Sequence, residues 1–106
     1  MTSAKDPEAT RELLASLWER SLPVLRERCA LLERAAAAAQ AGTLTQELRA
    51  EATAIAHKLS GSLGMFGYPE GTQFARHIEE HLEAPCPVDA PRLARDVAAL
   101  LTTLPL

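Results

Sequence analysis

An all-α fold is predicted by three features of this sequence. No run alternates apolar and polar residues as a half-buried strand would, Ala, Leu, Glu and Arg dominate while β-branched residues are sparse, and apolar residues recur at helical spacing between proline and glycine breaks. With 106 residues the chain has room for one hydrophobic core and no second. Pro7 opens a first helix bearing Leu13, Leu14, Leu17 and Trp18. Pro23 lacks a backbone donor and disfavours helical geometry at Leu22, so the pattern predicts a fresh start there with Ser21 as N-cap. The second helix, with Leu25, Cys29, Leu32 and Ala36 in phase, runs to Gly42, a natural C-cap. Thr43 followed by Gln46 has the form of a capping box and opens a third, with Leu48, Ile55, Leu59 and Phe66 on one stripe. Pro69 starts a fourth with Phe74, Ile78 and Leu82, and Asp89 a last one with Leu93, Val97, Leu100 and Leu104. The predicted architecture is one domain: an antiparallel up-and-down four-helix bundle with an additional N-terminal helix, over 7–20, 22–41, 44–66, 69–84 and 90–103.

Charge narrows the function classes. Eleven Lys and Arg against fourteen Asp and Glu leave a net charge of −3, with no basic cluster of the kind that binds nucleic acid or an anionic membrane. The longest nearly uncharged stretch, Ala35 to Leu44, is too short to cross a bilayer, and Lys5, Asp6 and Glu8 break up any signal-peptide core. A cytoplasmic protein is expected, and Cys29 and Cys86, far apart in sequence, are expected to be free thiols.

The residues that stand out lie on the third predicted helix. On a wheel with His57 at zero, Leu48, Ile55, Leu59 and Phe66 fall within about 20° of the opposite pole, so the ring faces outward. Ala50, Thr53, Gly61 and Gly64 share its side and form a low shelf. Two glycines inside a helix cost together about 1–2 kcal/mol relative to alanine, which stability does not explain. Missing side chains give clearance, as a docking partner would need. The stretch contains neither GxxxxGK[ST] nor GxGxxG and follows no strand, which argues against a phosphate-cradling loop. Leu59, Leu63 and Phe66 keep the helical period through both glycines, and irregular backbone is expected only from Gly67 to Gly71.

The run Ala56-His57-Lys58-Leu59-Ser60-Gly61-Ser62-Leu63-Gly64-Met65-Phe66-Gly67 resembles the signature of histidine-containing phosphotransfer (HPt) domains, helical bundles in which a histidine is followed at the fourth and tenth positions by glycine. The likeness is closest from Ala52 to Leu82. It implies that His57 is a phosphoacceptor, that Gly61 gives a partner access, and that the partner is the receiver domain of a response regulator in a two-component phosphorelay, with a hybrid histidine kinase as a further one. It implies no cofactor of the chain's own, Mg²⁺ residing on the receiver. Family members often carry a lysine three residues after the histidine, where this chain has Ser60; Lys58 points along another edge, about 100° round the wheel. Lys58, Ser60, Gly61 and Gly64 are thus candidates for receiver docking or phosphoryl contact. The family's polar residue on the following helix aligns with Glu79, which, accepting from Nδ1–H, would orient the ring and leave Nε2 as the nucleophile. An exposed neutral imidazole needs no dedicated base, so such a chain would be a phosphocarrier without a nucleotide site.

Two competing readings come from other classes. His77, Glu80 and His81 spell H-x-x-E-H, a zinc-enzyme pattern, but a bundle of this size offers no third ligand or cleft, and two exposed histidines on a charged helix face are expected instead. The alternative to phosphotransfer is a non-catalytic helical interaction module in which His57 is incidental.

Overall fold

The computed structural model describes residues 7–106. Its four helices are α1 (Pro7–Ala41), α2 (Gln46–Ser62), α3 (Pro69–Glu83) and α4 (Ala90–Thr102), with no strand among the described residues. The two helices predicted on either side of Pro23 are one. Pro23 lies exposed inside a continuous 35-residue α1, and Ser21, instead of capping a new helix, donates its hydroxyl to the Trp18 carbonyl at 2.8 Å. A proline inside a helix costs about 3 kcal/mol, so packing must hold the segments in line. Trp18 packs on Phe66 and Tyr68 at ring-centroid distances of 5.2 and 5.0 Å before the proline, and Leu25, Cys29 and Leu32 are buried after it. The additional N-terminal helix is therefore the first half of α1, where Leu13 and Leu17 are exposed and no described residue before Leu25 is fully buried. The described chain is elongated, 58 × 22 × 22 Å.

The helices close a ring in which α1 packs on α2 and α4, and α3 on α2 and α4. Neighbours run antiparallel. Arg49 near the start of α2 bonds to carbonyls at the end of α3, whereas Gly64, just past α2, lies against Thr72 near the start of α3. Likewise Gly71 near the start of α3 meets Thr103 and Leu104 beyond α4. Leu32, Leu59, Leu63, Ile78, Leu93 and Leu100 fill the centre, with Ala35, Ala52, Ala56 and Ala75 buried between them so that the helices approach closely.

Backbone accounting explains the ends. Gly42 (φ +74°) and Gly67 (φ +89°) adopt the left-handed conformation that terminates a helix. In each case the next residue closes the turn, Thr43 N–H donating to the Ala38 carbonyl and Tyr68 N–H to that of Leu63. Because Thr43 is used in ending α1, the N-cap of α2 is Thr45, whose hydroxyl accepts from Leu48 N–H, and the box predicted at Thr43 and Gln46 does not form. Nor does α2 run to Phe66: after Ser62 the bonds tighten to Ser62–Met65, Leu63–Phe66 and Gly64–Gly67, one tight turn before the stop. The irregular stretch predicted from Gly67 to Gly71 is shorter, since α3 begins at Pro69 and Gly71 is buried within it. A Cβ there would stand 3.0 Å from Thr103 Oγ1 and 3.1 Å from Leu63 Cδ1, so this glycine is a packing requirement.

The α3–α4 connection is held from two sides. Arg49 donates through Nε to the Leu82 carbonyl (2.9 Å) and through Nη2 to those of Ala84 (2.7 Å) and Cys86 (3.0 Å). Asp89 caps α4 by accepting from Arg92 N–H, and its own N–H donates to Nε2 of His81 at 3.1 Å. Among the described residues no helix is long and apolar enough to cross a membrane.

Candidate functional site

The orientation of α2 decides what its outer face can do. Its buried residues are Ala52, Ala56 and Leu59, continued by Leu63, while Leu48, Ile55 and Phe66 of the predicted stripe are only partly covered. The centre of this face lies about 130° from His57 on the wheel, so α2 is rolled by about 50° from the predicted orientation. The roll keeps His57 outside, with its side chain 73% exposed, and tips it towards α3.

There it meets Glu79. On α3 the buried face is formed by Ala75, Ile78 and Leu82, which leaves Glu79 on the flank towards α2 with a side chain only 17% exposed. His57 Nδ1 lies 2.8 Å from Glu79 Oε2. An ionised carboxylate can only accept, so in a neutral imidazole this contact favours the tautomer with the proton on Nδ1 and the lone pair on Nε2. The carboxylate is largely covered, and this bond is the ring's contact with α3.

The other candidates divide. Gly61 is exposed, and a Cβ built on it would touch nothing within 4 Å. Gly64 is exposed in the tight turn after α2, where a Cβ would reach Thr72 Oγ1 at 3.4 Å. Both lie on the predicted shelf, although only Gly61 is inside the regular helix. Ser60 donates its hydroxyl to the His57 carbonyl at 2.8 Å and is engaged with the backbone. Lys58 is exposed with no hydrogen bond or ion pair among the described residues. Sequence reasoning missed Arg76, exposed on α3 three residues before Glu79, and the exposed Met65 beside Gly64. The helical spacing of Arg76 from Glu79 was the available signal.

The pair of exposed histidines expected on α3 is not found. His77 is exposed, but His81 is buried and its Nε2 is occupied by the Asp89 N–H. Its position on the flank towards α4, rather than the charge of its neighbours, determines its burial. Among the described residues no three His, Cys, Asp or Glu side chains are grouped to hold a metal ion. Both cysteines are free; burial, with a smaller contribution from Glu33, pushes the Cys29 thiol up to about 11, whereas Cys86 is exposed.

Comparison with known proteins agrees with this geometry at the level of family. Protein RcaC of Microchaete diplosiphon is 32% identical over 90 residues, an alignment covering 82% of this chain and 14% of that protein. The chain thus corresponds to a small part of its relative's length. No solved structure gives a significant match. The Hpt domain family matches residues 12–104, from the first half of α1 to just past α4. With an all-helical ring that carries an outward histidine on its second helix, and a family match over nearly the whole sequence, the chain belongs to the Hpt domain family, the histidine phosphotransfer modules of two-component signalling.

Proposed function

We propose that His57 is the phosphoacceptor of a phosphorelay, taking a phosphoryl group from an aspartyl phosphate on a receiver domain and passing it on. The observation that carries this reading is the exposed imidazole held through Nδ1 by Glu79, with the open side of Gly61 beside it. The Nε2 lone pair attacks phosphorus in line, an N–P bond forms, and the P–O bond to the aspartate breaks with its electron pair leaving on the carboxylate. The ring gains positive charge as the bond forms, and Glu79 offsets it across the Nδ1–H bond. The receiver supplies Mg²⁺ and its acidic pocket, and the return step reverses these movements. In this reading the described helices act as one carrier domain, and nucleotide chemistry belongs to a partner such as a hybrid histidine kinase.

Incubation of the purified chain with a phosphorylated receiver tests the reading. An acid-labile, alkali-stable label is expected on the wild type and none on His57→Gln, with the far-ultraviolet circular dichroism of the two unchanged. A label that survives the substitution overturns the assignment to His57, and no label on the wild type overturns phosphotransfer and favours the interaction module.

A further inference from the structure

A phosphoryl group on Nε2 brings extra negative charge to a face whose hydrogen-bonded neighbour, Glu79, is already acidic. A cationic side chain within reach would offset it. The basic side chains of α2 and α3 are Arg49, Lys58, Arg76, His77 and His81. Arg49 is taken up by three backbone carbonyls at the far end of the pair, and His81 is buried against Asp89. Ser60 has neither charge nor a free hydroxyl proton, since it donates to the His57 carbonyl.

The register of α2 and α3 selects among the rest. His57 stands opposite Glu79 and Gly64 opposite Thr72, with seven residues between the members of each helix. Interpolating between these two pairs places Arg76 level with Ser60, one helical turn from His57 towards the glycines. Arg76 is exposed and forms no hydrogen bond or ion pair among the described residues, so its guanidinium is uncommitted. Beside the outer side of His57, on the edge away from α3, lies Gly61, where nothing projects, so the surface around the ring is low. Lys58 stands on the edge of α2 away from α3, and His77 is one residue further round α3, about 100° from Arg76.

We propose that Arg76, reaching from α3 at the level of Ser60, is the residue that binds the phosphoryl group at His57; this rests on the phosphotransfer reading above. The cation is supplied from the helix that also supplies Glu79, so one rigid element both orients the ring and receives the charge placed on it. A guanidinium suits the task because its planar donors match phosphate oxygens two at a time. During transfer those donors meet the charge spread over the equatorial oxygens.

The test is the rate at which phosphoramidate, a small phosphodonor that needs no receiver, labels the chain. Arg76→Ala is expected to slow labelling by about three- to tenfold, Arg76→Glu further, and Arg76→Lys less, as for a single partly exposed charged contact. His77→Ala, which removes the neighbouring exposed basic side chain of α3, should label like the wild type, and thermal melts of all four should coincide. Labelling of Arg76→Ala at the wild-type rate, or a comparable loss in His77→Ala, overturns the assignment while leaving the phosphotransfer reading intact. A wild-type chain that takes no label overturns both.

Discussion

Nδ1 of His57 and Oε2 of Glu79 stand 2.8 Å apart, an exposed ring on α2 tied to a largely covered carboxylate on α3. The bond is short and crosses from one helix to the next, so its effect on the ring depends on how the helices are set.

Replacing Glu79 separates its two contributions. Glu79→Gln retains an acceptor for Nδ1–H but removes the charge that offsets the developing imidazolium. Glu79→Ala removes both. Labelling by a phosphorylated receiver is expected to fall about threefold in the first and at least about tenfold in the second, a factor of ten being about 1.4 kcal/mol in the barrier. Nitrogen NMR of the His57 ring should show the proton on Nδ1 in the wild type and a tautomer mixture in Glu79→Ala. A single tautomer in both would separate Glu79 from ring orientation.

Gly61 inside α2 and Gly71 inside α3 should respond in opposite ways. Gly61 has open space where a Cβ would go, so Gly61→Ala is expected to stabilise the fold by about 0.5–1 kcal/mol in urea unfolding. Gly61→Leu should fold equally well and block transfer from a receiver. Gly71→Ala presses a methyl against Thr103 and Leu63 and should cost about 1–2 kcal/mol.

His81 should behave as a structural residue. His81→Ala leaves the Asp89 N–H without its acceptor and opens a void beneath the α3–α4 connection, an expected loss of about 1–3 kcal/mol by urea denaturation. Labelling of His57 at temperatures where the variant is folded should be unchanged. A wild-type unfolding midpoint in this variant would remove the bond from the account of the connection.

The Cys29 thiol gives a pH signature. Burial raises it from 9.0 to about 11, so the folded state holds the proton more tightly than the unfolded chain. Its contribution is fully present below about pH 9 and is lost as the pH rises towards 11. Between these values the wild type should lose up to about 2–3 kcal/mol more than Cys29→Ala, measured by urea unfolding. At neutral pH a thiol reagent should modify Cys86 in the folded protein and Cys29 only after unfolding.

Much of the fold was legible because it is written locally. Pro69 and Asp89 at helix starts, and Gly42 after a helix end, act through their own backbone or the next turn, and each is found in that role, whereas Gly67 stops the tight turn that follows α2 instead of α2 itself. Features decided by contacts between helices were not. Pro23 reads as a break, yet Trp18 is anchored on Phe66 and Tyr68, residues more than forty positions away. Ala52 and Ala56 read as neutral, and only the closeness of the neighbouring helices makes them core and rolls α2 towards Glu79. The Glu79 contact followed from gapless alignment with the family, but periodicity alone would have left it a surface carboxylate. Arg49 gave no local signal because its three acceptors are carbonyls 33 to 37 residues along the chain.

The anchoring of Trp18 also furnishes an optical probe. It is the chain's sole tryptophan, and its indole rests on Phe66 and Tyr68, which close the turn containing Gly64. Intrinsic fluorescence excited at the red edge of the indole band therefore samples the underside of this turn without a dye attached, and a stopped-flow change in its emission wavelength on mixing with a receiver is the expected signal of docking on this side.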